Sequence, residues 1–245
     1  MKRWLIALAT LVAPLSVPAV AQATTCRSET FEGVPFTLCE VGPQDDLRLF
    51  LQGPSGTYGS FRAIDRALAA SGEALGFAMN AGMYHRDLSP VGLYVEKGVE
   101  QAPIQTREGP GNFGMLPNGV FCWGKGRYYI TDSRKHKRSC YYATQSGPML
   151  VIEGALHPRF LPDSDSTYIR NGVGVSKDNS RAVFVISERA VNFHRFARFF
   201  RDHLGLPNAL YFDGNISRLY APQLGRHDGG FPMGPIVGVV TRKEE

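Results

Sequence analysis

The sequence predicts an α+β fold, namely a β-rich single domain with a mixed sheet and a few flanking helices. Short apolar runs with strand character recur along the chain, and glycine, asparagine or aspartate stands at the turns between them. Two other segments carry apolar residues at helical spacing. Each helical segment leads into a strand-like run, and neither a repeat nor a linker divides the chain, so we expect one domain.

The predicted strands are short and stop at turn signals such as Lys97-Gly98 and Glu153-Gly154. They cover residues 35–41, 47–52, 76–82, 91–98, 119–123, 127–132, 147–154, 171–178, 181–188, 209–214 and 235–241. Strands therefore dominate the predicted secondary structure.

Residues 60–72 and 192–205 are the predicted helices. In the first, Phe61, Ile64 and Leu68 form an apolar stripe that stops at Gly72. The second lies between a candidate cap, Asn192, and a stop at Gly205. Its apolar face consists of Phe193, Phe196, Ala197, Phe200 and Leu204.

The first residues predict export. A basic start at Lys2 and Arg3 precedes an apolar run over residues 4–20, and Ala21-Gln22-Ala23 has the small-x-small pattern of a signal-peptidase site. The alternative is a retained membrane anchor, but prolines interrupt the run, which is short for a span. We therefore expect a signal peptide over residues 1–23, a domain over 24–245 in the periplasm or outside the cell, and no membrane span after cleavage.

Charge and composition limit the partners. The formal net charge of +5 falls to +3 once the two basic residues of the leader are removed, and the cluster 134–138 accounts for more than that excess. Nucleic acid is an unlikely ligand for an exported protein, so none is expected. The cluster is either a solvated loop or a surface that attracts phosphate-bearing polymers.

Four cysteines remain in the mature chain, and an even number in an oxidising compartment favours disulfides. Three pairings exist. We favour Cys26 with Cys39 and Cys122 with Cys140, because each pair brackets a hairpin-like segment; the spacing does not suit zinc.

Common catalytic signatures are missing, among them G-x-S-x-G, H-E-x-x-H and the phosphate-binding glycine loops. Instead, four polar clusters stand where strands end at glycine turns, an arrangement from which many folds build a site. Taken singly, each also fits plain turn chemistry. They are Asn80-Ala81-Gly82, Ser146-Gly147-Pro148, Arg170-Asn171-Gly172 and Asp213-Gly214-Asn215.

Together these clusters match a family pattern. The series AMNAGMY, PVGLYVEKG, SGPMLVIEG, RNGVGVSKDN, YFDGNISRLYAP and GPIVGVV, in this order from about residue 76 to 240, resembles the phosphodiester glycosidase family, in its uncovering-enzyme-like, exported bacterial form. The chain departs from the family's D-G-G-G-S element, because Asn215 and Ile216 replace two glycines, and Ala81 replaces another.

The resemblance implies a set of site residues. Arg170 would hold the substrate phosphate, and Asp213 would act as base or nucleophile, with Glu188 as its partner and His85 as an acid or base. Alternatively, Arg170 and Asp213 form a buried ion pair and Glu188 is merely solvated. The implied substrate-binding residues are Asn80, Gly82, Ser146, Gly147, Asn171, Gly214, Asn215 and Ser217.

The function implied by the resemblance is an exported hydrolase that cleaves a sugar 1-phosphodiester on its glycosidic side, with a sugar-phosphate or polysaccharide as substrate. A non-catalytic glycan-binding module of the same fold and a metal-dependent phosphodiesterase are the alternatives. The sequence requires no cofactor and leaves any metal undefined, although Asp163, Asp165 and Asp213 would offer oxygen ligands to a divalent cation.

Overall fold

A computed structural model describes residues 24–213 and 215–242, so the predicted leader, Gly214 and the last three residues lie outside the described residues. Within these ranges, helices α1 and α2 cover Phe61–Ala69 and Phe193–Arg198. The strands are β1 (Thr25–Phe31), β2 (Val34–Val41), β3 (Asp46–Phe50), β4 (Gln52–Gly53), β5 (Gly56–Thr57), β6 (Glu73–Asn80), β7 (Tyr94–Glu96), β8 (Val99–Ala102), β9 (Gly119–Gly124), β10 (Arg127–Asp132), β11 (Tyr142–Ser146), β12 (Met149–Ile152), β13 (Ala155–Leu156), β14 (Asn171–Val175), β15 (Ala182–Ser187), β16 (Asn208–Asp213), β17 (Leu219–Ala221), β18 (Arg226–His227) and β19 (Ile236–Arg242).

The strands form three main sheets and one small hairpin, β4-β5. Sheet I has the order β1-β2-β15-β14-β16-β12-β13, sheet II the order β10-β9-β11-β7-β8, and sheet III the order β18-β17-β6-β19-β3. Every pairing among the described strands is antiparallel. The expectation of a mixed sheet was therefore wrong in detail, because neither helix acts as a crossover between parallel neighbours. The β-rich character is confirmed.

The main core lies on the inner face of sheet I, where that sheet packs against sheets II and III. Side chains of a strand alternate between its two faces, and β15 shows this directly. Phe184 and Ile186 enter the main core together with Phe77 of sheet III and Trp123 of sheet II. The intervening valines of β15 point to the opposite face of sheet I, which α2 covers.

Helix α1 begins at the predicted place, because the Ser60 hydroxyl accepts a hydrogen bond of 3.2 Å from the Ala63 amide. Its predicted stripe, Phe61, Ile64 and Leu68, is buried against the outer face of sheet III. Both the helix and its apolar face are confirmed.

Helix α2 begins at its predicted cap, since the Asn192 side chain accepts a hydrogen bond of 2.9 Å from the Arg195 amide. The chain then widens into a π-helical segment at Phe199–His203. This change of pitch alters the predicted face. Phe199, which the regular spacing left out, is fully buried and stacks on Phe36 of β2 at 4.1 Å between ring centroids.

Both favoured disulfides are confirmed. Cys26 and Cys39 face each other in the β1-β2 register and are bonded, and Cys122 of β9 is bonded to Cys140. The sequence did not predict β1, β5, β8, β11, β13, β17 or β18, because their short or largely polar segments give little periodic signal. In the part of the chain that the structure describes, no helix is both long and apolar enough to cross a bilayer.

Candidate functional site

Two buried asparagines join sheet I to sheet III. Asn80 is the last residue of β6 and Asn171 the first of β14, and both are fully buried. The side-chain nitrogen of Asn171, Nδ2, donates to the Asn80 side-chain oxygen at 2.8 Å and lies 3.2 Å from the backbone carbonyl oxygen of Asn80. Two of the four polar clusters seen in the sequence are therefore in direct contact.

The same pair anchors the chain that follows β16. The backbone amide of Asp213, the last residue of β16, donates to the Asn171 side-chain oxygen at 3.2 Å. The backbone amide of Arg218 donates to the Asn80 side-chain oxygen at 2.9 Å. Within this turn, the Ser217 hydroxyl lies 2.7 Å from the Asp213 carbonyl oxygen. Asn80 and Asn171 thus fix both ends of the turn that carries Asp213.

A cleft of about 470 Å³ opens beside this turn. Asp213 and Asn215 lie on one side of it, and the aromatic rings of Tyr84, Phe113 and Tyr168 line other parts of the wall. The cleft therefore combines a carboxylate with flat apolar surfaces, a combination suited to a sugar ring.

The electrostatics of Tyr84 locate two charges near the cleft. Burial raises the pKa of its hydroxyl, the Asp213 carboxylate raises that pKa further, and the Arg218 guanidinium lowers it. The hydroxyl itself lies 3.3 Å from the Pro232 carbonyl oxygen, to which it donates. The Asp213 carboxylate and the Arg218 guanidinium thus both act electrostatically on Tyr84, which lines the cleft.

Arg170 lies beneath the cleft and is fully buried. Its Nε donates to the Val191 carbonyl at 2.8 Å, and its Nη2 donates to the Ser166 carbonyl at 2.8 Å. Its Nη1 lies 3.3 Å from the Tyr211 hydroxyl, and its guanidinium stacks on Phe193 at 3.7 Å. Because burial disfavours the charge, the pKa of Arg170 is lowered.

These contacts bear on the role predicted for Arg170. Two of its partners, Ser166 and Tyr211, line the cleft, whereas the guanidinium is covered by them. A direct contact with a substrate phosphate would require this network to open. In the structure as it stands, Arg170 supports the cleft wall.

The predicted residues of β11 and the neighbouring turn pack the site from behind. The buried Ser146 hydroxyl donates to the Phe212 carbonyl at 2.8 Å, one residue before Asp213. A side chain at Gly82 would come within 2.9 Å of the Thr144 hydroxyl, and Gly82 has a φ of +138°. Gly147 is equally confined, because a Cβ there would lie 2.6 Å from that of Asn118. These residues allow β11 to approach the Asn80 turn closely.

Glu188 and His85 are not among the described residues that line the cleft. The Glu188 carboxylate accepts a hydrogen bond of 2.6 Å from the Thr37 hydroxyl and pairs with Arg226. His85 is exposed in the next turn, where its amide donates to the Ser89 carbonyl at 2.8 Å. Neither residue therefore shares the lining of the cleft with Asp213 in the described part of the chain, and Gly214 lies outside that part.

Several residues of the cleft were not identified from the sequence. Tyr211 had a usable signal, because residues two apart on a strand share a face and Tyr211 precedes Asp213 by two positions. Tyr84 ends the AMNAGMY segment, and Arg218, which acts on Tyr84, lies within YFDGNISRLYAP, so both had a signal; Phe113 and Tyr168 had none. Among the described residues, no three His, Cys, Asp or Glu side chains come close enough to hold a metal ion together.

Comparisons with known proteins indicate the family. The family model for phosphodiester glycosidases matches residues 74–232. YigE of Escherichia coli K12, an uncharacterized protein, is 36% identical over 184 residues, which is 74% of this chain and 72% of that protein.

Two solved structures share the fold. The zebrafish N-acetylglucosamine-1-phosphodiester α-N-acetylglucosaminidase catalytic domain, auto-inhibited by its pro-peptide, superimposes with a TM-score of 0.60 at 12% identity, covering 88% of this chain and 81% of that one. A Burkholderia pseudomallei K96243 protein gives a TM-score of 0.58 at 11% identity, over 84% of this chain and 74% of that one. Because the family model matches more than half of its length, this chain belongs to the phosphodiester glycosidase family.

Proposed function

We propose that this protein is an exported hydrolase that cleaves a sugar 1-phosphodiester on the glycosidic side, in envelope or extracellular glycans. The observation that carries the proposal is the position of Asp213, held by the Asn80–Asn171 pair at the edge of an aromatic cleft. The family match supplies the glycosidase type of reaction. The substrate class follows from the family description and from the charges around Tyr84.

Asp213 is the residue proposed to act at the anomeric carbon. In hydrolysis, the bond between that carbon and the phosphate oxygen breaks, and the phosphomonoester leaves with the electron pair as a stable anion. Asp213 either takes a proton from the attacking water or forms the glycosyl intermediate that water then opens. Because the leaving group is already a weak base, no strong general acid is required, which suits a cleft whose described lining lacks His85 and Glu188.

Arg218 is the proposed phosphate-side cation. It is half-buried, it acts electrostatically on Tyr84 together with Asp213, and its amide is fixed by Asn80. A guanidinium is suited to two phosphate oxygens at once. Arg170 is proposed to act indirectly, by holding Tyr211 and the Ser166 carbonyl in place beneath the cleft.

Export is supported by the N-terminal leader pattern and by two disulfides, which persist in oxidising compartments. We place the protein in the periplasm or outside the cell. The proposed partners are accordingly a sugar-phosphate or polysaccharide, with no nucleic acid.

A glycan-binding module without catalysis is the second candidate, and one observation favours it. Ile216, which stands where the family pattern has a glycine, packs against the α1 cluster of sheet III. The turn after Asp213 therefore gains an apolar anchor and has less backbone freedom than a run of glycines.

The test is to incubate the purified mature protein with a panel of sugar 1-phosphodiesters in water enriched in ¹⁸O, with and without a chelator. Glycosidic cleavage places the label on the free sugar. Label on the phosphate would instead indicate a phosphodiesterase that attacks phosphorus, and chelator-sensitive turnover would indicate a metal. Binding without turnover, with equal affinity in Asp213→Asn, would favour the module.

A further inference from the structure

A second recess, of about 360 Å³, lies at the other end of sheet II, away from the cleft. Tyr142 and Ser146 are the first and last residues of β11, and the step of four residues from one to the other spans roughly 13 Å of strand. Strand β3 of sheet III forms one wall, and the turns of the β7-β8 and β9-β10 hairpins form the other. We call this recess the Tyr142 groove, after the residue at its floor; Arg48, Lys97, Trp123, Lys125 and Tyr141 also line it.

The floor of the Tyr142 groove is rigid and aromatic. Trp123 stacks on Tyr142 with 5.3 Å between ring centroids, and its indole nitrogen donates to the Leu47 carbonyl at 2.8 Å. Tyr128 donates its hydroxyl to the Gly42 carbonyl at 2.7 Å. These two rings therefore have their polar atoms satisfied by the protein and contribute packing surface.

The hydroxyl of Tyr142, unlike the polar atoms of Trp123 and Tyr128, has no partner among the described residues. Tyr142 is only 6% exposed, and no described residue forms a hydrogen bond with its hydroxyl. Among the described residues, no fully buried side-chain oxygen or nitrogen lacks a partner, so this hydroxyl must reach the open groove. A hydroxyl placed at the bottom of a recess, on a ring that is otherwise buried, is a donor preorganised for a ligand.

Electrostatics keep that donor protonated. Burial, with a smaller effect of Tyr141, raises the pKa of Tyr142 to about 12, while Arg48 acts in the opposite direction. Around the hydroxyl stand groups of both signs. Arg48 is paired with Glu73 at 2.7 Å and also with Asp46, whose carboxylate stays about half exposed.

The rim adds two cations and a ring. Lys97 and Lys125 occupy the two hairpin turns and are exposed, and Tyr141 beside them is 54% exposed. Exposed lysines attract an anion, an exposed aromatic ring offers a flat face for a sugar, and Asp46 can accept hydrogen bonds from sugar hydroxyls. A neutral sugar would leave the two lysines unused.

We propose that the Tyr142 groove is a second carbohydrate site, which binds an acidic saccharide unit through the Tyr142 hydroxyl, the Tyr141 ring and the two lysines. The inference does not depend on catalysis in the cleft. Such a site would hold an acidic glycan on the protein at a distance from Asp213.

The test uses isothermal titration calorimetry on the mature protein with a tetrasaccharide of alternating glucuronate and N-acetylglucosamine. A neutral N-acetylglucosamine tetrasaccharide is the matched probe. We expect the acidic probe to bind and the neutral probe to bind at least tenfold more weakly. Tyr142→Phe should weaken binding of the acidic probe by about tenfold, because one hydrogen bond to a charged ligand is lost. The double variant Lys97→Gln, Lys125→Gln should bind more weakly and with less dependence on salt.

Tyr129→Phe is the control, because Tyr129 lies on β10 outside the groove lining. It should bind as the unmodified protein does, and NMR shift changes should centre on the amides of Lys97, Lys125, Tyr141 and Tyr142. No binding, equal affinity for both probes, unchanged binding by Tyr142→Phe, or shift changes centred on Asp213 would each overturn the proposal. Melting temperatures of all variants establish that they are folded.

Discussion

The buried side-chain amides of Asn80 and Asn171 hydrogen-bond each other at 2.8 Å, where the last residue of β6 meets the first residue of β14. The Asn80 side-chain oxygen also accepts a hydrogen bond from the Arg218 backbone amide, and that of Asn171 accepts one from the Asp213 backbone amide. One amide pair therefore connects two sheets and holds both ends of the turn at the cleft.

Removing this pair should damage stability and activity together. Asn171→Ala removes the hydrogen bonds that the Asn171 side chain forms with the Asn80 side chain and with the Asp213 amide, and losing a buried partner costs about 1 to 3 kcal/mol per group. Urea denaturation should show the loss, and turnover should fall with it. Asn208→Ala, which removes one hydrogen bond to the exposed Glu153 amide, is the control and should cost less. Equal losses in the two variants would contradict this role.

Asp213→Asn should abolish turnover without unfolding the protein. A carboxamide keeps the shape of the side chain but acts neither as base nor as nucleophile, and such groups contribute about 10²- to 10⁴-fold in rate. Initial rates on whichever sugar 1-phosphodiester of the panel is cleaved, with melting temperature measured in parallel, check this. Asp163→Asn, on an exposed loop, should retain the original rate. A normal rate in Asp213→Asn would exclude the catalytic role.

Arg218→Gln should lower kcat/KM for a phosphodiester by about 10- to 100-fold, because the cation that faces the phosphate is lost while the backbone contact with Asn80 remains. An uncharged glycoside of the same sugar should be affected far less. Arg201→Gln removes an exposed partner of Asp202 and should leave both rates unchanged. The same loss on charged and uncharged substrates would argue against a phosphate contact.

Arg170→Ala should destabilise the protein by about 3 to 5 kcal/mol, because it leaves a large buried cavity and unpaired carbonyls at Val191 and Ser166. Arg181→Ala breaks a partly exposed surface pair with Glu40 and should cost about 1 kcal/mol or less. If Arg170→Ala melts normally but loses turnover, the residue contacts the phosphate, as first predicted, and the supporting role is wrong.

His157 should make stability depend on pH. This residue is 1% exposed. Its Nδ1 accepts a hydrogen bond of 3.2 Å from the Arg159 backbone amide, and its Nε2 donates one of 3.2 Å to the Leu116 carbonyl. This pair of hydrogen bonds holds the ring neutral. Burial lowers its pKa below the usual 6.5. The unfolded chain therefore binds a proton that the folded chain does not, and stability should fall as the pH drops below about 6.5 towards the folded pKa.

Melting temperature measured between about pH 8 and pH 5 checks the His157 prediction. The slope should be smaller in His157→Gln than in the unmodified protein, although not zero, because burial also lowers the pKa of His136. His227→Gln, at an exposed position, is the control. An unchanged slope in His157→Gln would show that another group is responsible.

Much of this molecule follows from local sequence. The apolar stripe of Phe61, Ile64 and Leu68 and the caps Ser60 and Asn192 define both helices, because helical periodicity and capping act within a few residues. The two cysteine pairs were predictable because each brackets a hairpin, which is also formed by residues close together in the chain. The order of the Asn80, Ser146, Asn171 and Asp213 clusters indicated the family.

Tertiary structure decided the rest. Whether Asn80 meets Asn171, which are 91 residues apart, depends on how sheet III packs on sheet I, and no local pattern encodes that contact. The same packing buries Arg170, draws Glu188 to Arg226, and brings Tyr84 and Arg218 beside Asp213. The sequence by itself determined which polar residues end the strands. Only the packing of the sheets decided which of them share a cleft, because an antiparallel β fold builds its sites from contacts that are distant in the chain.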